Sequence, residues 1–86
     1  MSEPLAIGVI GGMGPAATAD FFAKLIAATV AKRDQDHLRI LIDNNPRVPD
    51  RNAAIAGRGP SPGPVLAASA AGLERMGAGL ITIACN

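Results

Sequence analysis

The sequence predicts an α/β fold in three layers, in which a parallel sheet lies between helices on both of its faces. Three short apolar runs, at 5–10, 38–42 and 80–84, have the length of buried strands. Two segments with apolar residues at helical spacing, at 15–32 and 64–76, lie between them. Strands that alternate with helices are joined by right-handed crossovers, and such connections make the sheet parallel.

The composition limits the class of protein. The 86 residues form at most one small domain, and a chain of this size buries about 60–65% of its unfolded surface. Apolar residues make up 49% of the chain, but many are alanine and two are aromatic, so the core must consist of Ile, Leu, Val and Met. The net charge of +1 comes from interspersed charges of both signs. The sequence therefore lacks the basic patch typical of proteins that bind nucleic acid or a membrane surface, and we expect neither partner.

The cysteine count and the N-terminal residues indicate the compartment. The single cysteine cannot form an internal disulfide, and no metal cluster is evident in the sequence. The first apolar run is short and is broken by glycine, so it resembles neither a signal peptide nor a membrane span. We therefore expect a cytoplasmic protein.

The first strand and the glycines after it form the centre of the prediction. This strand has too few polar residues to face water on either side, which predicts a central position in the sheet. The glycine-rich stretch 11–14 follows as a tight loop, and Pro15 opens the first helix. Such a loop leaves main-chain N–H groups open at a helix N-terminus, where a small acidic ligand can bind.

The same stretch matches a dinucleotide-binding fingerprint in its loose form. Residues 12–17 fit G-x-G-x-x-A after a strand. The acidic residue expected roughly 20 residues later is missing, because the chain there has the polar run 32–36, and Asp43 lies too far along. No Lys-Ser or Lys-Thr pair follows the glycines, which excludes a P-loop. A nucleotide- or phosphate-binding module remains an alternative on the glycine loop alone.

The remaining elements follow in order. The first helix carries its apolar stripe to about Lys32, and Lys32 and Arg33 lie at the negative end of its dipole. The second strand ends before Asp43, and Pro46 stops its pairing.

A short helix is predicted at 53–56 and a loop at 57–64, where glycine and proline are frequent. Gly77 closes the second long helix as a left-handed C-cap. The last strand is followed by Cys85 and Asn86.

The loops that follow parallel strands gather at one edge of the sheet. We therefore expect 11–14, 43–51 and 85–86 to converge there. Together these segments resemble the aspartate/glutamate racemase family, in particular the pyridoxal-independent aspartate racemases. The order and spacing of the motifs carry the resemblance over nearly the whole chain: Gly8–Pro15 with the Ala-Thr-Ala-Asp-Phe-Phe that follows, Asn44-Asn45-Pro46, Val48-Pro49-Asp50-Arg51, Gly57 to Pro64, Leu73-Glu74, Gly77-Ala78 and Cys85-Asn86.

The resemblance implies two pseudo-symmetric α/β domains with the substrate between them, this chain being most of the first. It also implies inversion of an amino acid's α-carbon without a cofactor, by two cysteines, one from each domain. Cys85 matches the first of these cysteines, and Arg51 matches the residue that holds the distal carboxylate of the substrate. The substrate contacts implied besides Arg51 are Met13, Gly14, Asn45 and Asn86.

The chain departs from the family pattern because it stops after Asn86 and has no second cysteine. We therefore expect the 86 residues to be an incomplete N-terminal domain, inactive alone, of an enzyme that is a homodimer when complete. Family relatives that isomerise or decarboxylate small diacids are neighbouring possibilities.

The chemistry of racemisation fits these residue types. Inverting a stereocentre by proton transfer needs a base on one face of the carbon and an acid on the other, and a cysteine thiol with a pKa of about 8.5 suits both roles once that pKa is lowered. The planar guanidinium of Arg51 can bind a carboxylate through two hydrogen bonds, which favours aspartate or glutamate. Taken singly, Cys85 fits a small core residue and Arg51 fits a surface arginine. A non-catalytic fragment that binds a dicarboxylate is a further alternative.

Overall fold

Strands and helices alternate along residues 5–85, which are the residues that this computed structural model describes. The bounds in chain order are β1 Ala6–Met13, α1 Pro15–Ala28, a 3-10 turn Asp34–Asp36, β2 Ile40–Asn44, α2 Arg51–Ile55, α3 Gly63–Arg75 and β3 Ala78–Cys85.

The three strands form one parallel sheet in the order β2-β1-β3, so the first strand is central as its apolar sequence predicts. The helices lie on opposite faces of the sheet. Gly8 and Ile10 of β1 contact Leu73 of α3, whereas Gly11 contacts Thr18 of α1. Since alternate residues of a strand face opposite sides, the two helices cover the two faces. The predicted three-layer α/β fold is confirmed.

The core lies between β1 and α3 and is small. Ile10, Leu73 and Ala78 are buried together, and four larger side chains and one alanine pack against them: Met13, Leu41, Leu66, Ala70 and Ile81. Val9, on the other face of β1, is fully buried. As the composition predicts, the described core is aliphatic.

The predicted loop at 11–14 is wrong in its extent, because β1 continues through the glycines to Met13. Gly11 pairs with Asn44 of β2, and Met13 pairs with Cys85 of β3 after a register irregularity. Gly12 lies at this irregularity with a φ of 105°, a conformation that residues with a side chain rarely adopt. The backbone of Asn45 also occupies the space that a Cβ would need. Glycine therefore permits the strand to bend and continue where the sequence suggests a stop.

The first helix ends at Ala28, four residues before the predicted Lys32. The hydroxyl of Thr29 donates a hydrogen bond to the carbonyl of Leu25 at 2.7 Å, and Thr29 itself is extended. Lys32 and Arg33 thus lie beyond the helix, so the predicted dipole interaction is wrong. Instead, the main-chain N–H of Lys32 and the Nε–H of the Arg33 guanidinium donate hydrogen bonds to the carboxylate of Asp36.

The other boundaries move by a few residues. β2 is shifted to Ile40–Asn44 because Asp43 and Asn44 still pair with β1. α2 begins at Arg51, two residues before its predicted start, because the Asp50 carboxylate accepts a hydrogen bond from the N–H of Asn52 at 2.9 Å. Gly77 has a φ of 108°, in agreement with its predicted role after α3.

Within residues 5–85 no helix combines the length and the apolarity needed to cross a membrane.

Candidate functional site

A cleft of about 490 Å³ lies at the carboxyl edge of the sheet. Parallel strands place their carboxyl ends together, so the end of β1 and the segment that follows β2 meet here with the start of α3 and the end of β3. Its walls consist of Gly12, Met13, Pro46, Val48, Pro49, Asp50, Arg51, Asn52, Pro62, Leu66 and Ile83.

Arg51 lies in the wall of this cleft as the first residue of α2. The N-cap bond from Asn52 to Asp50 fixes the turn in which the arginine begins the helix. Among residues 5–84, ion pairs join Lys24 to Asp20 and Arg33 to Asp36, and none involves Arg51. Its exposed guanidinium therefore retains donors with which to bind an anion in the cleft.

Met13 also lies in the cleft wall, half-buried, at the end of β1. The segment that carries it is held by Thr18, one turn into α1. The N–H of Gly12 donates to Thr18 Oγ1 at 2.9 Å, and the same hydroxyl donates to the carbonyl of Gly14 at 3.3 Å. Met13, between these two glycines, is thereby anchored on both sides.

Gly14 and Asn45 are next to the wall residues in sequence but do not themselves line the cleft. Gly14 is the N-cap of α1 and is exposed. Asn45 uses its side-chain oxygen to accept from the N–H of Arg47 at 3.0 Å, and its own N–H donates to the carbonyl of Gly11. Asn45 thus shapes the turn after β2, and direct contact of either residue with a ligand remains a prediction.

The backbone of Cys85 lies at the same edge as the cleft, because it pairs with Met13 in the sheet. Ile83, two residues earlier in β3, lines the cleft. The structure therefore brings the backbone of the predicted cysteine next to one of the predicted substrate contacts. Asn86, which is also predicted to contact the substrate, lies outside the described residues.

The sequence interpretation did not identify Thr18 or the α3 side of the cleft. Thr18 is part of the motif Ala-Thr-Ala-Asp-Phe-Phe, and the available signal was a hydroxyl four residues after Gly14 in an apolar helix. Leu66 was assigned to the apolar stripe of the second long helix, but it also lines the cleft. Nothing in the local pattern links Pro62 and Leu66 to a site at the end of β1.

The chemistry of the walls suits a small anion with a carbon skeleton. Seven wall residues are apolar, and Arg51 supplies a positive charge. The carboxylate of Asp50, also in the wall, accepts the N-cap hydrogen bond from Asn52. Among residues 5–84, no group of three or more His, Cys, Asp or Glu side chains is placed to hold a metal ion.

Comparison with known proteins places this arrangement among racemases. The model of the family described as "Asp/Glu/Hydantoin racemase" matches residues 10–86. A solved structure, that of Picrophilus torridus aspartate racemase, superposes with a TM-score of 0.88 at 40% sequence identity. The match covers 95% of this chain and 36% of that chain, so the 86 residues span about a third of its length.

Proposed function

We propose, since the chain belongs to the Asp/Glu/hydantoin racemase family, that it supplies one half of the active site of an enzyme that racemises an acidic amino acid, most simply aspartate. The observation that carries this proposal is the position of Arg51 and Met13 in one cleft, with the backbone of Cys85 paired to Met13. The anion-binding group at the start of α2 and the backbone of the proposed proton-transfer residue at the end of β3 thus lie at one edge of the sheet, beside the end of β1.

Arg51 binds the distal carboxylate in this mechanism. Its planar guanidinium matches the two oxygens of a carboxylate, and it has no acidic partner among residues 5–84. The apolar side chains of Met13 and Leu66 in the same cleft suit the methylene of the substrate. A cleft that combines a cationic group with apolar walls favours an amino acid with a second carboxylate over one with an uncharged side chain.

Cys85 removes or returns the α-proton in this mechanism. As a thiolate it takes the proton from one face of the α-carbon, and a second acid delivers a proton to the opposite face. The reverse direction exchanges the two roles, so no external cofactor enters the proton balance. We assign the second group to a cysteine of a second domain, in line with the 36% coverage of the related aspartate racemase.

The hydrogen bonding of the glycine segment supports this function over nucleotide or phosphate binding. An anion-binding glycine loop needs free main-chain N–H groups. Here the N–H of Gly12 is buried and already donates to Thr18, while Gly11 and Met13 are paired in the sheet. Arg51 is the positively charged residue among those that line the cleft.

The decisive experiment is the variant Cys85→Ala in the complete enzyme. We expect racemisation to be lost, together with the exchange of the α-proton for deuterium in D₂O, followed by NMR, for the enantiomer of aspartate whose α-proton faces Cys85. The Kd of L-aspartate should stay within about threefold because the carboxylate contacts remain. Unchanged exchange of both L- and D-aspartate would exclude Cys85 as a base. Wild-type protein that binds L-aspartate but shows no exchange would instead favour a non-catalytic dicarboxylate-binding fragment.

A further inference from the structure

We propose that Thr18 is a positioning residue for this cleft, because its hydroxyl bridges Gly12 and Gly14 and so holds Met13 in the cleft wall. The assignment rests on the proposed racemase function. Thr18 does not line the cleft itself, and it therefore acts through the chain segment that does.

The hydroxyl is placed where β1 loses its regular partners. Pairing of β1 with β2 stops at Gly11, and pairing with β3 resumes at Met13 after the irregularity. Gly12 lies between them, buried, and its N–H donates to Thr18 Oγ1 at 2.9 Å. A buried N–H without a partner is unfavourable, so the threonine hydroxyl stabilises the bend of the strand.

The packing around Thr18 fixes the hydroxyl in turn. Thr18 is 4% exposed, and a Cβ placed on Gly11 would collide with its side chain. The hydroxyl proton is directed to the Gly14 carbonyl one turn earlier in the chain, so the oxygen lone pairs face Gly12. The Thr18 side chain is thus bonded to both Gly12 and Gly14. These two bonds restrain Met13, which lies between the two glycines.

The variant Thr18→Val tests this assignment because it keeps the branched shape and removes the hydroxyl. Thr18→Ser restores the hydroxyl, and Thr29→Val is a matched control, since the Thr29 hydroxyl bonds to Leu25 at the far end of α1. All three are made in the complete enzyme and normalised to the folded fraction. A misplacement of about 1 Å lowers catalysis on the order of 100-fold.

We expect Thr18→Val to lower the kcat for racemisation of L-aspartate by about 10- to 100-fold with a smaller change in KM, because the wall that orients the substrate shifts. Thr18→Ser and Thr29→Val should stay within about threefold of wild type. Hydrogen exchange of the Gly12 amide, measured by mass spectrometry on the same proteins, should be faster in Thr18→Val alone.

A Thr18→Val enzyme that unfolds more easily but has wild-type kcat per folded molecule would overturn the proposal, since the residue would then be structural only. The amide-exchange measurement separates this proposal from the proposed function. Wild-type protein without racemisation would contradict the function, and unchanged Gly12 exchange in Thr18→Val would contradict the positioning role whether or not the protein racemises aspartate.

Discussion

The hydroxyl of Ser69 donates a hydrogen bond to the carboxylate of Asp43, across 26 residues of sequence. Ser69 is buried in α3, and Asp43 is half-buried near the end of β2. The bond ties the helix to the strand close to the cleft. Since Leu66 lies one turn before Ser69, the bond also sets the distance between the α3 wall of the cleft and the turn that leads to Arg51.

We predict that Ser69→Ala lowers the free energy of unfolding by about 1–3 kcal/mol, because the Asp43 carboxylate loses its charge-assisted partner. Urea unfolding followed by circular dichroism measures this change. A double-mutant cycle with Asp43→Asn isolates the pairwise part, and a coupling energy below about 0.5 kcal/mol would show that the bond does not stabilise the fold.

Arg51 is expected to determine the affinity for the acidic substrate. Arg51→Ala should raise the Kd of L-aspartate by about 10- to 100-fold, because hydrogen bonds to charged groups are lost. Arg51→Lys should recover only part of this affinity, since an ammonium cannot form the two parallel bonds of a guanidinium.

The matched control for Arg51 is Arg47→Ala. Arg47 lies in the loop that precedes α2 but not in the cleft wall, and it donates its main-chain N–H to the side-chain oxygen of Asn45, a bond that the substitution keeps. Isothermal titration should give a Kd within about threefold of wild type, as expected for an exposed charge. Equal losses in both variants would indicate a general effect of positive charge rather than a specific site.

Two glycines should respond to alanine with opposite signs. A Cβ on Gly8 would lie 2.9 Å from the Cβ of Ala78 and 3.2 Å from that of Leu73, so Gly8→Ala should destabilise the fold by about 1–3 kcal/mol through overpacking. Gly72, inside α3, has only the end of the Arg75 side chain nearby, at 3.7 Å. Gly72→Ala should therefore stabilise the protein by about 0.5–1 kcal/mol through helix propensity.

Thermal unfolding of both glycine variants checks this prediction. A stable Gly8→Ala protein would mean that β1 and α3 are less closely packed than the distances indicate.

The native protein that carries this sequence should be larger than 8.7 kDa. The chain spans 36% of the related aspartate racemase, and the proposed mechanism needs a second proton-transfer group. Intact mass spectrometry of the natively expressed protein measures this directly. A mass equal to that of the 86 residues would contradict the two-domain mechanism and would require the second cysteine to come from another copy of the chain.

The sequence by itself determined the order and type of the long elements and the central place of the first strand. Apolar runs and helical spacing reflect contacts between near neighbours in the chain, and these patterns are visible without a structure. The motifs that resemble the family also predicted Arg51 and Met13 as substrate contacts, and both residues lie in one cleft. The boundaries at Met13 and Ala28 were missed because strand pairing and the Thr29 hydroxyl decided them.

The tertiary structure alone decided which side chains support the site. The Ser69–Asp43 bond and the place of Leu66 in the cleft depend on how α3 returns across the sheet after its crossover. The role of the Thr18 hydroxyl depends on Gly12, which has no paired residue in β2 or β3 and donates its N–H to Thr18 instead. Such relations depend on the packing of elements distant in sequence, which local propensity does not specify.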